Sequence, residues 1–410
     1  MGSLCSKRHP QLRNPTAQRS YTEAERFVAE HGVDDIGQFY REQMNEWREA
    51  EINIAISGDT GAGKPSFINS IRGLRPKDEG AAREGVTEVK SKPKAYPHPT
   101  NPKLIFWDMP GIGGVKYPSM EEYCKCKEID VEKYDAFLIF SKGRFTNHDS
   151  LLAEKAKSLD KPFFFIRAHI GSDVENAKSD EEDGKFDEEE VLQNIRDDCY
   201  DNLKKILKSA GDIYLIDNKK KQWDFERLIA AISDVMPPRV KEAFILSLSN
   251  LTQGCIRRKA TQLKVRASVL ATAVAPANAI PIPLLGASLN IALIVEETSQ
   301  YRELFGIPPR NSATFNNLDE EFKTKVIKSC YSNAAQLVAA IASECGTELG
   351  AEEVAKLVPI AGVIMATAIS AFFTSRYLFA CINELEEIAL QIWNETVRHH
   401  REPSAMSLEN

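Results

Sequence analysis

The sequence predicts an α/β domain built on a mostly parallel sheet, followed by an all-helical domain. Three observations predict it. Short, continuous apolar runs alternate with helical stretches from Ile52 to about Met236. A glycine-rich loop ending in lysine follows the first of those runs. After Pro237-Pro238 the chain reads as helix almost throughout. At 410 residues there is room for two or three domains, taking about 150 residues for each. The 43% hydrophobic and 27% charged fractions are those of an ordinary globular chain, which excludes a mainly disordered, collagen-like or polytopic membrane protein. A net charge of −7 leaves no basic footprint, so no nucleic acid is expected as a partner. The cysteines are scattered, and Cys124 and Cys126 stand too close for an ordinary zinc knuckle. A reduced, cytoplasmic setting is expected.

The elements follow in order. Met1-Gly2-Ser3-Leu4-Cys5-Ser6 fits the myristoylation pattern, with Gly2 as the acylated residue. Cys5 is a candidate for palmitoylation, and Lys7, Arg8, Arg13 and Arg19 follow before the first acid. One acyl chain binds membrane only marginally, so a second chain or a basic cluster is the usual supplement. Membrane lipids and a peripheral membrane location are therefore expected, against the alternative of a ragged terminus. Thr22 to Trp47 reads as helix, with Thr22 and Glu25 as a capping box. Ile52–Ile56 is a strand running to Gly58. Leu104–Trp107, Ala136–Phe140, Pro162–Ile166 and Ile213–Ile216 are the further strand-like runs. Apolar strands without alternation, separated by helices, imply a parallel sheet covered on both faces. Asp180 to Glu190 reads as an acidic surface loop. The resulting division is residues 1–47, 48–236 and 237–410. In the last of these, Ala267–Val295 and Leu357–Ser375 carry no charge. Prolines at 276, 281 and 283 break the first, and burial inside a helical domain is favoured over membrane insertion for both.

Gly58-Asp59-Thr60-Gly61-Ala62-Gly63-Lys64 stands between a strand and a helix. That context makes it a phosphate-binding loop: backbone N–H groups turn inward around phosphate oxygens, and the lysine reaches the outer phosphates. The next residue should carry a hydroxyl for Mg²⁺. It is Pro65, which has neither hydroxyl nor N–H. Proline is tolerated in a first helical turn, so the helix survives. Ser66 is the neighbouring candidate for the metal, but it is turned about 100° around the helix from position 65 and cannot simply replace it. Asp108-Met109-Pro110-Gly111 directly follows a strand, an arrangement that holds Mg²⁺ through water and senses the γ-phosphate. Asp108 is thus the other candidate metal residue, with Gly111 as the turn.

These residues, with Ser66-Phe67-Ile68-Asn69, Glu79-Gly80-Ala81-Ala82, Gly85-Val86, Tyr96-Pro97-His98-Pro99, Ile105 to Gly113, Arg144-Phe145-Thr146 and Val191 to Arg196, resemble the immunity-related GTPase family of interferon-inducible, dynamin-like GTPases. The match runs from about Glu51 to Asn250. The resemblance implies a Ras-like P-loop G domain with a mixed, mostly parallel sheet, set against an all-α domain formed by both chain ends. It implies GTP/GDP and Mg²⁺ as cofactors and assembly with other family members or with itself. It also implies membrane attachment and a role in cell-autonomous immunity. Carried over residue by residue, Lys64 and Glu88 are the catalytic candidates. Gly58 to Ser66, Asp108, Gly111, His169, Gly171, Asp217 and Asn218 are the nucleotide-binding candidates.

The departures are as informative. The family's base-reading Thr-Lys-x-Asp appears as Ala168-His169-Ile170-Gly171, so its aspartate is replaced by Gly171 and its lysine by His169. Asp173 could reach inward only with a shifted loop. A site that loses the polar partner of a base loses discrimination, so weak guanine selectivity is expected. The following motif is only partly kept, as Ile216-Asp217-Asn218-Lys219, and the switch threonine falls on Glu84. Thr87 is a partial substitute. Losses at three motifs favour a GTP-binding relative with impaired catalysis that co-assembles at membranes. The alternatives are an active GTP hydrolase that self-assembles on membranes and a lipid-anchored scaffold without a nucleotide cycle.

Overall fold

A computed structural model describes residues 23, 26–27, 30–31, 36–84, 92–112, 117–125, 129–180, 186–277, 285–309, 312–316, 318–328 and 371–401. Gly2, Cys5, the capping-box residues Thr22 and Glu25, Thr87, Glu88 and most of Leu357–Ser375 lie outside them. The chain divides into two compact units, one from Trp47 to Cys255 and the other from Met1–Glu46 with Ile256–Asn410.

The first unit holds a six-stranded sheet in the order β2-β3-β1-β4-β5-β6. Its strands are β1 (Ile52–Gly58), β2 (Lys94–His98), β3 (Asn101–Asp108), β4 (Ala136–Ser141), β5 (Phe163–Arg167) and β6 (Ile213–Leu215). All pairings are parallel except β2 on β3, which is antiparallel. The central strands explain the layering. Every residue of β4 is buried, and so is every residue of β1 but Asn53. Strands apolar on both faces must be covered on both faces. The helices Lys64–Ile71, Asn147–Ser158, Ile170–Asp180, Glu188–Leu203 and Phe225–Asp234 run in the connections between strands and after β6. Local chemistry sets their starts. Thr146 and Asp149 form a reciprocal capping box. Asp187 accepts the amides of Glu189 and Glu190 at the next helix. The acidic stretch is accordingly less of a loop than its composition suggests, because helix reaches Asp180 on one side and begins at Glu188 on the other.

Phe67 fixes the helix that follows the glycine loop. It is fully buried, with its ring 5.0 Å from that of Phe140 and 6.1 Å from that of Phe225. Pro238 opens the helix Pro238–Ser247 in its first turn. That helix returns to the sheet, where Asn101 Nδ2 donates to Ser247 Oγ at 3.0 Å.

The second unit is helical, with long helices Gln253–Ala277, Leu285–Leu304 and Ala371–Arg401. Its core includes Tyr301, Phe305, Leu378, Ile382 and Leu385. Arg266 and Glu297 form a buried, two-pronged ion pair at 2.7 and 3.2 Å. Among the described residues no helix is long and apolar enough to cross a membrane.

Candidate functional site: a phosphate cradle at the carboxyl end of the sheet

The parallel register of β1 places the site. Ile56 pairs with Asp108 on β3, and Gly58 pairs with Phe140 on β4. The carboxyl ends of three strands therefore converge where β1 gives way to the glycine loop, the edge of an open α/β sheet at which ligands bind. Gly58 has φ 127°, and a Cβ there would stand 1.9 Å from the Phe140 carbonyl oxygen. Only glycine fits this exit from the strand. Gly61 and Gly63 have φ of 83° and 84°, which turns the loop back on itself. Gly63 then caps the helix, its carbonyl accepting the Phe67 amide at 2.9 Å.

Lys64 is 8% exposed. Its Nζ donates to the carbonyl of Gly58, and to that of Asp59 at 2.9 Å. Burial pushes its ammonium down from 10.5 to about 8, against the opposing pull of Asp59 and Asp149. The cation is therefore held inside the cradle by neutral carbonyls. Asp149 is a participant that motif reading missed. It lies on the helix after β4, accepts from the Thr146 amide and hydroxyl at 2.8 Å each, and burial raises its carboxyl above the usual range. The one signal for it in the sequence is the spacing Thr146-x-x-Asp149, which reads as a helix cap.

Two distant segments buttress the loop. His169, in the left-handed region at φ 64°, places Nε2 3.1 Å from the Gly61 carbonyl. Asn218 Nδ2 donates to the Gly63 carbonyl at 3.0 Å, and the Asn218 carbonyl accepts from Ser70 Oγ at 3.0 Å. His169, a nucleotide-binding candidate in the sequence, thus touches the phosphate loop directly. Gly171 is the second residue of the helix after β5, and Asp217 Oδ2 lies 2.5 Å from where its Cβ would be. Asp173 does not turn inward. Its carboxylate is paired with Arg167 at 2.6 Å. A cleft of about 470 Å³ lies beside Gly171, lined also by Val174, Glu175, Lys220 and Trp223.

The candidate metal residues sit on two elements. Asp108 is fully buried at the end of β3, where the next amide, of Met109, bonds to Ile56 O at 2.9 Å. Position 65, which should supply the hydroxyl, is a proline in the first helical turn. Ser66 is half-buried on the same turn. Gly111 is exposed, with open space around its α-carbon. Glu84 places its carboxylate 3.2 Å from Asn69 Nδ2, and Asn69 also accepts the Ala82 amide at 2.6 Å. The cradle thus suits the phosphates of a nucleotide, and the residue after Lys64 is a proline without a hydroxyl.

A family model for interferon-inducible GTPases matches residues 17–384. The chain belongs to the interferon-inducible GTPase family. Among similar proteins, interferon-inducible GTPase 5 of Rattus norvegicus is 28% identical over 90% of this chain and 81% of its own length. Interferon-inducible GTPase 1 of Mus musculus is 34% identical over 64% of this chain and 63% of its own. Among solved structures, the LeoA bacterial dynamin GTPase from ETEC is 12% identical, with 94% of each chain covered and a TM-score of 0.34. As a member of the interferon-inducible GTPase family, the chain keeps the P-loop with its lysine and lacks the hydroxyl that should follow it.

Proposed function

We propose that this family member binds guanine nucleotide but hydrolyses it poorly, and that it acts by assembling with other family members, or with itself, at membranes. The observation that carries the reading is Pro65. Phosphoryl transfer is mostly positioning and charge neutralisation, and the metal does much of the neutralising. A residue with neither hydroxyl nor amide removes one Mg²⁺ ligand and one backbone donor from the loop. Binding depends less on the metal, because the glycine turns, the helix terminus and Lys64 remain for the phosphates. Glu84, tied to Asn69, supports the same reading, since a carboxylate in the switch segment offers the γ-phosphate repulsion rather than a hydroxyl. The acylation pattern at Gly2 and Cys5 supports the membrane part.

The test is GTP binding and turnover by the purified chain and by Pro65→Ser, each with Mg²⁺ and with EDTA. The expected result is nucleotide binding by both, with negligible turnover in the unaltered chain and Mg²⁺-dependent turnover gained by the serine variant. Equal, Mg²⁺-dependent turnover by the two would overturn the impaired-catalysis reading. Flotation of the acylated chain and Gly2→Ala with liposomes tests the membrane part, with loss of flotation in the variant expected and flotation of both counting against the anchor.

A further inference from the structure

We infer that Asp217 selects the base, supplying from the loop after β6 the carboxylate that the loop after β5 lacks, and that Gly171 is small in order to admit it. The inference rests on the nucleotide-binding reading above and names the residue that gives it specificity. The two loops abut the phosphate cradle. His169 reaches the Gly61 carbonyl and Asn218 reaches that of Gly63, and each is close in sequence to the residue at issue. A ligand with its phosphates in the glycine loop extends over residues 168–171 and 216–218, at the carboxyl ends of β5 and β6.

In that place the carboxylate of Asp217 stands where a side chain of residue 171 would stand. A Cβ at Gly171 would meet Oδ2 at 2.5 Å and Cγ at 3.4 Å. Asp217 is also oriented. Its Oδ1 accepts the amides of Lys219 at 2.8 Å and Lys220 at 2.7 Å. Among the described residues Oδ2 accepts no hydrogen bond, so it remains for a donor from outside the chain. The other acid of this region, Asp173, is committed to Arg167. An ionised carboxylate only accepts hydrogen bonds. Guanine presents two adjacent N–H donors, at N1 and N2, whereas adenine presents an acceptor at N1. A carboxylate fixed here favours the first and repels the second. The weak guanine selectivity expected from the sequence follows from seeking the acid at position 171 alone.

The test is competition against a fluorescent GDP by the diphosphates of guanosine, xanthosine and adenosine. It uses the full chain, Asp217→Asn, Gly171→Asp and the exchanged pair Gly171→Asp/Asp217→Ser. The unaltered chain is expected to prefer GDP over ADP by about 100-fold or more. Asp217→Asn should lose that preference and gain affinity for xanthosine diphosphate, whose C2 carbonyl accepts from the amide. Gly171→Asp alone crowds two carboxylates and should weaken GDP binding, and the exchanged pair should recover it. Melting curves report whether each variant folds, and the exchanged pair carries the test if Asp217→Asn does not. Nucleotide binding with GDP:ADP and GDP:XDP ratios unchanged by Asp217→Asn, or an exchanged pair no better than Gly171→Asp, overturns the role of Asp217 and leaves the binding reading standing. Absence of all nucleotide binding by the unaltered chain overturns both.

Discussion

Nucleotide binding should take up a proton at mildly alkaline pH, and Lys64 is the reason. In the free chain burial lowers its ammonium from 10.5 to about 8. A phosphate beside Nζ reverses that shift, because an opposite charge favours the protonated form. The sign follows. Well below pH 8, by about pH 6, the lysine is charged with or without ligand, and almost no proton moves. Between pH 8 and 10.5 the free chain is mostly neutral at Lys64 and the complex charged, so binding draws a proton and weakens as pH rises. The span of the shift corresponds to about 3 kcal/mol, or roughly a tenfold loss of affinity per pH unit within the window. At pH 9 the uptake approaches about one proton. Calorimetry of GDP binding in buffers of different ionisation enthalpy measures it directly. Lys64→Met, which keeps the length without the charge, should show weak, pH-independent binding and no uptake. An unaltered chain that binds GDP at pH 9 with no proton exchanged would refute the buried-cation account of the loop.

Other outcomes follow from the same structure. Gly58→Ala places a methyl 1.9 Å from the Phe140 carbonyl at a φ of 127°. Loss of nucleotide binding and a destabilisation of several kcal/mol, about the upper range for single substitutions, are expected by calorimetry and denaturant unfolding. His169→Ala removes one buttress of the loop and should weaken nucleotide binding by about 1 kcal/mol, the net worth of a hydrogen bond, with the fold intact by circular dichroism. Arg266→Met leaves Glu297, which is 1% exposed at its side chain, buried without its partner. Unfolding should show a loss of about 3–5 kcal/mol, which Arg266→Met/Glu297→Leu largely restores.

Much of the fold is legible in the sequence because the central strands announce themselves. Ala136–Phe140 is apolar throughout and Ile52–Ile56 is apolar but for Asn53, and burial on both faces is the physical reason. Strand β2 is not legible in the same way. Lys94–His98 buries only Tyr96 and His98 and contains Pro97, so it carries no continuous apolar run, and an edge strand tolerates the proline. The phosphate loop is readable because its glycines answer local backbone demands. The contacts of His169 and Asn218 with it are tertiary, and no local pattern encodes them. The pairing of Gly171 with Asp217 is hidden for a further reason. Each position looks like a lost function when read alone, and only their separation in space shows that one makes room for the other.

The central claim is that the cradle for phosphates is kept while the grip on the metal is lost. Titrating Mg²⁺ into the GDP-loaded chain tests it most directly. The account predicts an Mg²⁺ affinity within about threefold of that of free GDP, with Pro65→Ser gaining tenfold or more, roughly the 1.4 kcal/mol of one restored ligand. An unaltered complex that holds Mg²⁺ at least about tenfold more tightly than free GDP does would contradict it.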